Sequence, residues 1–258
     1  MALTARGFLE AHPQNRLSIL AACEDPWTVA SFDYAGSVWP LPQTGQMWLE
    51  HELLSDPSSK GFFCVSTSYR QEPNAIPGRH DIIFPMFEFE FPGNIEDLKA
   101  MEYELVDYLG FEKPTEKTYA EWQKHYGWGE HSDLTAEDEG KMYDEFTTAL
   151  ITDFPEFTSP FWNMSRYDDK DASKKIDVIL GGMETIGSAE RSTDVDMMRD
   201  TFHTITKGEY SQLLFQLFGK DRVEAELEKF LEFDFFPRVG GGIGMTRMIA
   251  ALDKNAEN

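Results

Sequence analysis

Two short stretches hold the residue types from which a phosphate site can be built. Near the C-terminus, Gly240-Gly241-Gly242-Ile243-Gly244-Met245-Thr246-Arg247 places an arginine three residues beyond a glycine-rich backbone. Glycines let another group approach the main chain closely, although such a run also forms ordinary turns and tight strand–helix contacts. A second cluster, Tyr69-Arg70-Gln71-Glu72, lies far from it in sequence. Arg70 and Glu72 are two apart at the end of an expected strand, so their side chains leave one face. A guanidinium offers a planar fork of donors to a phosphate, and a neighbouring carboxylate can accept from an adenine amino group. Arg79 and His80, on the far side of a polar loop, could reach β- and γ-phosphates when that loop closes, and Phe84 could stack on a base. Asp177 and Glu184, seven apart, could hold magnesium, which takes one or two carboxylates plus phosphate oxygens. Singly, each of these residues is more commonly a member of a surface ion pair or a packing residue than a ligand group. Their conjunction is what points to a nucleotide.

The elements that must position these residues follow from periodicity. Phe62, Phe63, Val65 and Tyr69 in 61–69, and Phe84, Met86, Phe87 and Phe89 in 82–91, alternate in part and predict an antiparallel strand pair. The loop 73–81 between them is long enough to fold over a ligand. Helices are expected over 43–54, from Asn94 to about Leu109 with Asn94 as cap, over 119–126, and over 136–148 with Thr135 as cap. Further helices are expected over 195–207, 208–218 and 221–232, and from Met245 to about Leu252. Short strands are expected over 149–153, 159–164 and 175–183, and the glycine run itself reads as a strand. This order predicts an α+β fold, an antiparallel sheet flanked by helices, in one domain spanning 1–258.

Composition limits the function. The 258 residues, 41% hydrophobic and 14% aromatic, are enough for one large core rather than a disordered chain. With 46 acidic and 23 basic residues the formal charge is −23, which should repel nucleic acid where no basic stripe is concentrated. Cys23 and Cys64 are too few for a disulfide framework or a cysteine–zinc site and read as reduced structural thiols. Six histidines show no metal-ligand spacing. No signal-peptide pattern and no run of about eighteen apolar residues occurs, so a cytoplasmic protein without membrane contact is expected.

Taken together, these motifs resemble the catalytic core of class II aminoacyl-tRNA synthetases, in the aspartate/asparagine branch. The segment 69–72, then Arg79-His80, then Phe84-Pro85-Met86-Phe87-Glu88-Phe89-Glu90, is similar to that family's second signature motif, and Pro237 to Arg247 to its third. Gln43 to Glu50 resembles its amino-acid-pocket helix, Thr152-Asp153-Phe154-Pro155 a strand end, and Asp177 to Arg191 its metal and side-chain-binding stretch. The resemblance covers roughly residues 30–252. It implies that Arg70 and Arg247 grip the α- and γ-phosphates of a bent ATP, with Glu72 and Phe84 on adenine and Arg79, His80 and Gly244 completing the nucleotide site. Gly240, Gly242 and Gly244 would let the strand pass close beneath ATP. The resemblance further implies Mg2+ on Asp177 and Glu184, and an amino-acid pocket of Gln46, Glu50, Glu88, Ser188 and Arg191.

Departures from the family pattern shape the expected activity. Leu49 stands where aspartate-specific members have a lysine, Ile83 where the family has glutamate before the motif phenylalanine, and Thr246 where it has an acid. The first motif, which builds the family dimer, is poorly matched before Phe32, so a homodimer is expected by analogy alone. No anticodon-binding barrel is expected. With the acidic charge, this makes tRNA an unlikely partner and favours an asparagine synthetase-like ligase that passes an aspartyl- or asparaginyl-like adenylate to ammonia or a small amine. Alternatives are a minimal enzyme charging tRNA or a carrier protein, and a non-catalytic regulatory paralogue that binds amino acid or nucleotide.

Overall fold

The alternation in Ile83-Phe84-Pro85-Met86-Phe87-Glu88-Phe89-Glu90-Phe91 forms a ten-residue strand, β5 (Ile83–Pro92), antiparallel to β4 (Phe62–Tyr69). Successive strand side chains point to opposite faces. Phe84, Met86, Glu88 and Glu90 therefore share one face. Phe87, Phe89 and Phe91 line the other, in an apolar layer with Leu98, Met101 and Val106 of α2 (Ile95–Tyr108). The computed structural model describes residues 3–13 and 26–257; Cys23 lies outside them.

The sheet has eight strands in the order β1 (Leu9–Glu10), β4, β5, β10 (Arg238–Gly244), β9 (Met183–Arg191), β8 (Ala172–Leu180), β7 (Thr148–Pro155) and β6 (Thr115–Thr118). Every inner pairing is antiparallel, and only the outermost pairs, β1–β4 and β6–β7, are parallel. A separate hairpin joins β2 (Ala30–Tyr34) to β3 (Ser37–Leu41). The architecture is thus the expected α+β one. Behind the sheet lie α2 and α8 (Met245–Ala256). A second cluster around Trp162 and Phe202 gathers α1 (Gln46–Ser55), α5 (Val195–Thr204), α6 (Glu209–Phe218) and α7 (Lys220–Leu231). A third, around Trp122 and Ile151, packs α3 (Tyr119–Tyr126) and α4 (Ala136–Phe146) near β7.

Local chemistry sets the helix starts. Asn94 and Thr135 each accept from the N3 backbone N–H, while Asp97 and Asp138 accept from the cap N–H in return; Thr118 and Glu121 do the same for α3. Acids in these first turns also suit the positive end of the helix dipole.

Three expectations are corrected. The helix over 136–148 stops at Phe146, and Thr148 already pairs with Leu180 in the sheet. The strand over 159–164 is irregular chain with a single bridge from Met164 to Arg191. The strand over 175–183 is the first arm of a hairpin: Gly181 and Gly182, at φ +61° and +86°, turn the chain in two residues and β9 returns. Positive φ at both central residues is what glycine permits there. Gly181 has a second reason, since a Cβ would lie 2.9 Å from the Ala251 Cα of α8. Among the described residues no helix is long and apolar enough to cross a membrane.

Candidate active site

One face of the central strands forms the floor of the site. Gly240, Gly242 and Gly244 of β10 stand directly opposite Glu90, Glu88 and Met86 of β5. On the other side, Gly242 pairs with Gly187 of β9, which in turn pairs with Asp177 of β8. Over this floor lie two adjoining cavities. Arg70, Glu72, Arg79, His80, Phe84, Gly244 and Arg247 line the first, and Gln46, Glu50, Glu88, Ser188 and Arg191 line the second. Arg70, Met86, Glu184, Gly187 and Gly242 line both, so the two run into each other.

At the first cavity, Arg70 comes from the end of β4 and Arg247 from the first turn of α8, converging from positions far apart in sequence. The Arg70 guanidinium carbon is 5.8 Å from the Phe84 ring centroid. Arg247 Nη1 donates to the Glu184 carbonyl at 2.8 Å, which fixes its side chain along the cavity wall. Arg79 is held by Glu139 of α4 through two 2.9 Å hydrogen bonds.

The two expected metal ligands come close together. A Cβ on Gly187 would lie 2.9 Å from Glu184 Oε1 and 3.6 Å from Asp177 Oδ1, so both carboxylates converge over this glycine. Lys175 Nζ is 3.4 Å from Asp177. Among the described residues no group of three or more His, Cys, Asp or Glu side chains gathers to hold a metal. A two-carboxylate set of this kind fits magnesium, whose other ligands are phosphate and water oxygens, and does not fit structural zinc.

The second cavity is walled by buried charge. Glu50 and Arg238 are both 0% exposed; Arg238 donates to Glu50 Oε2 from Nε at 3.0 Å and from Nη2 at 2.7 Å. Asn163 Nδ2 donates to Glu50 Oε1 at 2.7 Å. Arg191 Nη2 donates to Glu90 Oε2 at 3.3 Å, and Gln46 Nε2 reaches the same oxygen at 2.5 Å. Burial pushes the Glu90 carboxyl up to about 7; Arg191 and Arg238 pull it down while the Glu50 charge adds to the rise. Glu88 accepts from both Gly45 N–H and Ser66 Oγ, and from Thr44 Oγ1. Cys64 is a free, buried thiol beside it, and burial first, then the Glu88 charge, raises its pKa well above the usual range.

Two expected contributions differ in detail. The Ser188 hydroxyl does not face the cavity floor: in β9 it is out of phase with Gly187, and it donates to Glu102 of α2 at 2.5 Å behind the sheet. Gly240 makes room for protein rather than for a ligand, because a Cβ there would lie 1.7 Å from Glu90 Oε2 and 2.6 Å from Gln46 Nε2. Four residues of the site and its supports, Glu90, Arg238, Asn163 and Glu139, were not singled out from sequence. The Phe-Glu alternation over 87–90 held the signal for Glu90, since it must share a face with Glu88.

The fold is shared with known enzymes. It superposes on asparaginyl-tRNA synthetase from Pyrococcus horikoshii complexed with asparaginyl-adenylate with a TM-score of 0.80 and 19% identity, covering 97% of this chain and 61% of that one. For the Entamoeba histolytica asparaginyl-tRNA synthetase in complex with asparaginyl-adenylate the values are 0.76, 20%, 96% and 60%. For the aspartyl-tRNA synthetase of the same organism they are 0.71, 19%, 98% and 52%. The chain therefore spans about six-tenths or less of the length of these proteins. A comparison with curated proteins finds no match. Residues 2–257 match the model of tRNA synthetases class II (D, K and N). This overturns the expectation that tRNA is an unlikely partner, which rested on net charge and chain length, because the family matched along the chain is one of tRNA synthetases. With the match extending over nearly every residue, the chain belongs to the class II tRNA synthetase family of the D, K and N branch.

Proposed function

We propose that this chain forms an acyl-adenylate from ATP and an aspartate- or asparagine-like amino acid, and that the acyl group passes to the terminal adenosine of a tRNA. The observation that carries this reading is the pair of joined cavities, one bearing Arg70 and Arg247, the other Gln46 and Arg191. In this reading Glu72 and Phe84 hold adenine, Arg70 and Arg247 hold the α- and γ-phosphates, and Arg79 and His80 approach the outer phosphates. Gln46, Glu50, Glu88 and Arg191 surround the amino acid, and Ser188 contributes main chain. Magnesium, when bound on Asp177 and Glu184, supplies charge neutralisation at the phosphate oxygens.

The chemistry needs no protein nucleophile. The α-carboxylate oxygen attacks the α-phosphorus in line, an acyl O–P bond forms, the P–O bond to the β-phosphate breaks, and pyrophosphate leaves. Catalysis then rests on alignment and on cations placed before the reaction where negative charge shifts. Transfer to ammonia has less support than transfer to tRNA, since the family matched and the similar structures are those of tRNA synthetases. The test is ATP–pyrophosphate exchange with each of the twenty amino acids, followed by acceptor assays with total tRNA and with ammonium. Exchange with aspartate or asparagine and a labelled tRNA ester are expected. Absence of exchange with every amino acid removes the reading, and an amide product with no ester replaces the tRNA acceptor.

A further inference from the structure

The loop 70–82 carries Arg79 to the first cavity, and its own backbone does little to hold it there: Arg79 and His80 N–H both bond the Ile76 carbonyl in a local turn. What fixes the arginine is α4. Glu139 takes the guanidinium end-on, Oε2 from Nη1 and Oε1 from Nη2, each at 2.9 Å. The Glu139 side chain is only 5% exposed and that of Arg79 19%. The same Oε2 accepts the Glu184 N–H at 3.1 Å, while the Glu184 carbonyl accepts Arg247 Nη1 at 2.8 Å. One carboxylate thus joins the loop, the start of β9 and, through the single residue Glu184, the arginine of α8.

The end-on pairing leaves part of the fork unused. A guanidinium has five N–H groups, and Glu139 engages one on each Nη. The side-on edge, formed by Nε–H and the outer N–H of the adjacent Nη, has no hydrogen-bond partner among the described residues. A phosphate oxyanion matches that edge with two parallel bonds without displacing the carboxylate. An arginine anchored in advance also loses its rotamer freedom before the ligand arrives rather than on binding.

We propose that Glu139 is a positioning residue of the phosphate pocket, holding Arg79 at the cavity with its side-on edge available and fixing the backbone of Glu184, whose carbonyl Arg247 bonds. This rests on the ATP reading of the first cavity. The test is calorimetric binding of Mg-ATP and of AMP to the wild type, Glu139→Gln, Arg79→Ala and the double variant. Glu139→Gln should weaken ATP binding about tenfold, the scale of losing one charge-assisted contact, and leave AMP within about twofold. In the Arg79→Ala background it should cost clearly less, because the glutamine keeps an amide oxygen to accept the Glu184 N–H. Glu139→Asp, which keeps the charge but withdraws it by one methylene, should show the same selective loss and serves if the glutamine variant does not fold. Tighter ATP binding by Glu139→Gln would make Glu139 a competitor for Arg79, equal losses of ATP and AMP would make its role merely structural, and additive losses would show that it does not act through Arg79. Each of these overturns the proposal alone. A wild type that binds neither nucleotide overturns the ATP reading and this inference together.

Discussion

Glu102→Gln should change how the stability of this protein depends on pH, with no change in the site. Glu102 lies on α2, 0% exposed, in the apolar layer behind the sheet with Leu98, Val178 and Ile186. Its one hydrogen bond is from Ser188 Oγ, and its Oε2 has no hydrogen-bond partner among the described residues. Burial pushes its carboxyl from the ordinary 4.5 up to about 8, and the serine hydrogen bond offsets only part of that. Below the ordinary value both folded and unfolded chains hold the proton, and no penalty arises. As pH rises past it the unfolded chain ionises while the native chain keeps its proton, so stability falls by about 1.4 kcal/mol per pH unit. The fall ends near the folded value, where the native carboxyl ionises too.

At pH 7 the accumulated loss from Glu102 is roughly 3 kcal/mol. Glu90, also raised, contributes in the same direction, and the lowered carboxyls of Glu116 and Glu121 in the opposite one. The comparison must therefore be between wild type and variant, in which these cancel. Glutamine is nearly isosteric and does not titrate. Its amide places extra donors in an apolar site at a cost of about 1–3 kcal/mol, but that cost is independent of pH. Urea unfolding from about pH 4 to pH 9 should show the variant gaining on the wild type by roughly 3 kcal/mol between pH 4 and pH 7 and levelling above pH 8. A difference that stays constant across this range would refute the argument, because it would mean that Glu102 titrates alike in both states.

Two further outcomes test other parts of the structure. Arg247→Ala should lower pyrophosphate exchange by about 10²-fold or more, as removal of a fixed cation from a reacting phosphate does, while costing only about 1 kcal/mol in thermal unfolding for its bond to the Glu184 carbonyl; exchange that survives would show that it is not a phosphate clamp. Gly241→Ala should destabilise by about 1–3 kcal/mol in urea unfolding, since its Cβ would lie 2.5 Å from Ser188 Cβ and 2.8 Å from the Gly187 carbonyl on the face away from the cavities.

How much of this was legible depended on whether the controlling interaction was local. The pair β4–β5 is visible because its aromatic alternation is a property of the segment itself, and α2 and α4 because Asn94 and Thr135 announce their first turns. The strand expected over 175–183 runs through the Gly181-Gly182 pair without taking it as a two-residue hairpin turn, so the return strand β9 is not expected at all. The four residues of β6, Thr-Glu-Lys-Thr, contain no apolar side chain, and only parallel pairing with β7 makes them a strand. In the site, motif spacing located Arg70, Phe84 and Arg247, but the phase of Ser188 depended on the unread strand. Glu139 is sixty residues from Arg79, and nothing near either one indicates the other. The charge of −23 misled about tRNA for a related reason: a sum over the chain says nothing of where charges sit.

The glycine run ends up serving three separate constraints. Gly244 is open toward the cavity, its nearest neighbours being atoms of Arg247 at 3.8 Å and beyond, and Gly242 clears the Met86 side chain on the shared floor. Gly241 faces the other way and allows β10 to press against β9 at Ser188. Gly240 admits the Glu90 carboxylate and the Gln46 amide into space that any side chain would fill. That last accommodation has the largest consequence, because Glu90 and Glu50 then face Arg191 and Arg238 in one buried cluster. Buried ion clusters rarely stabilise a fold more than well-packed apolar side chains would, whereas losing a single member leaves an uncompensated charge worth about 3–5 kcal/mol. A stability argument alone does not account for such a cluster. What it supplies is a fixed direction for Arg191, whose guanidinium is tied to Glu90 at one end of the second cavity and whose side chain is 5% exposed. The glycine at position 240 is in this sense a requirement of the second cavity, although it lies in the motif that first suggested a phosphate.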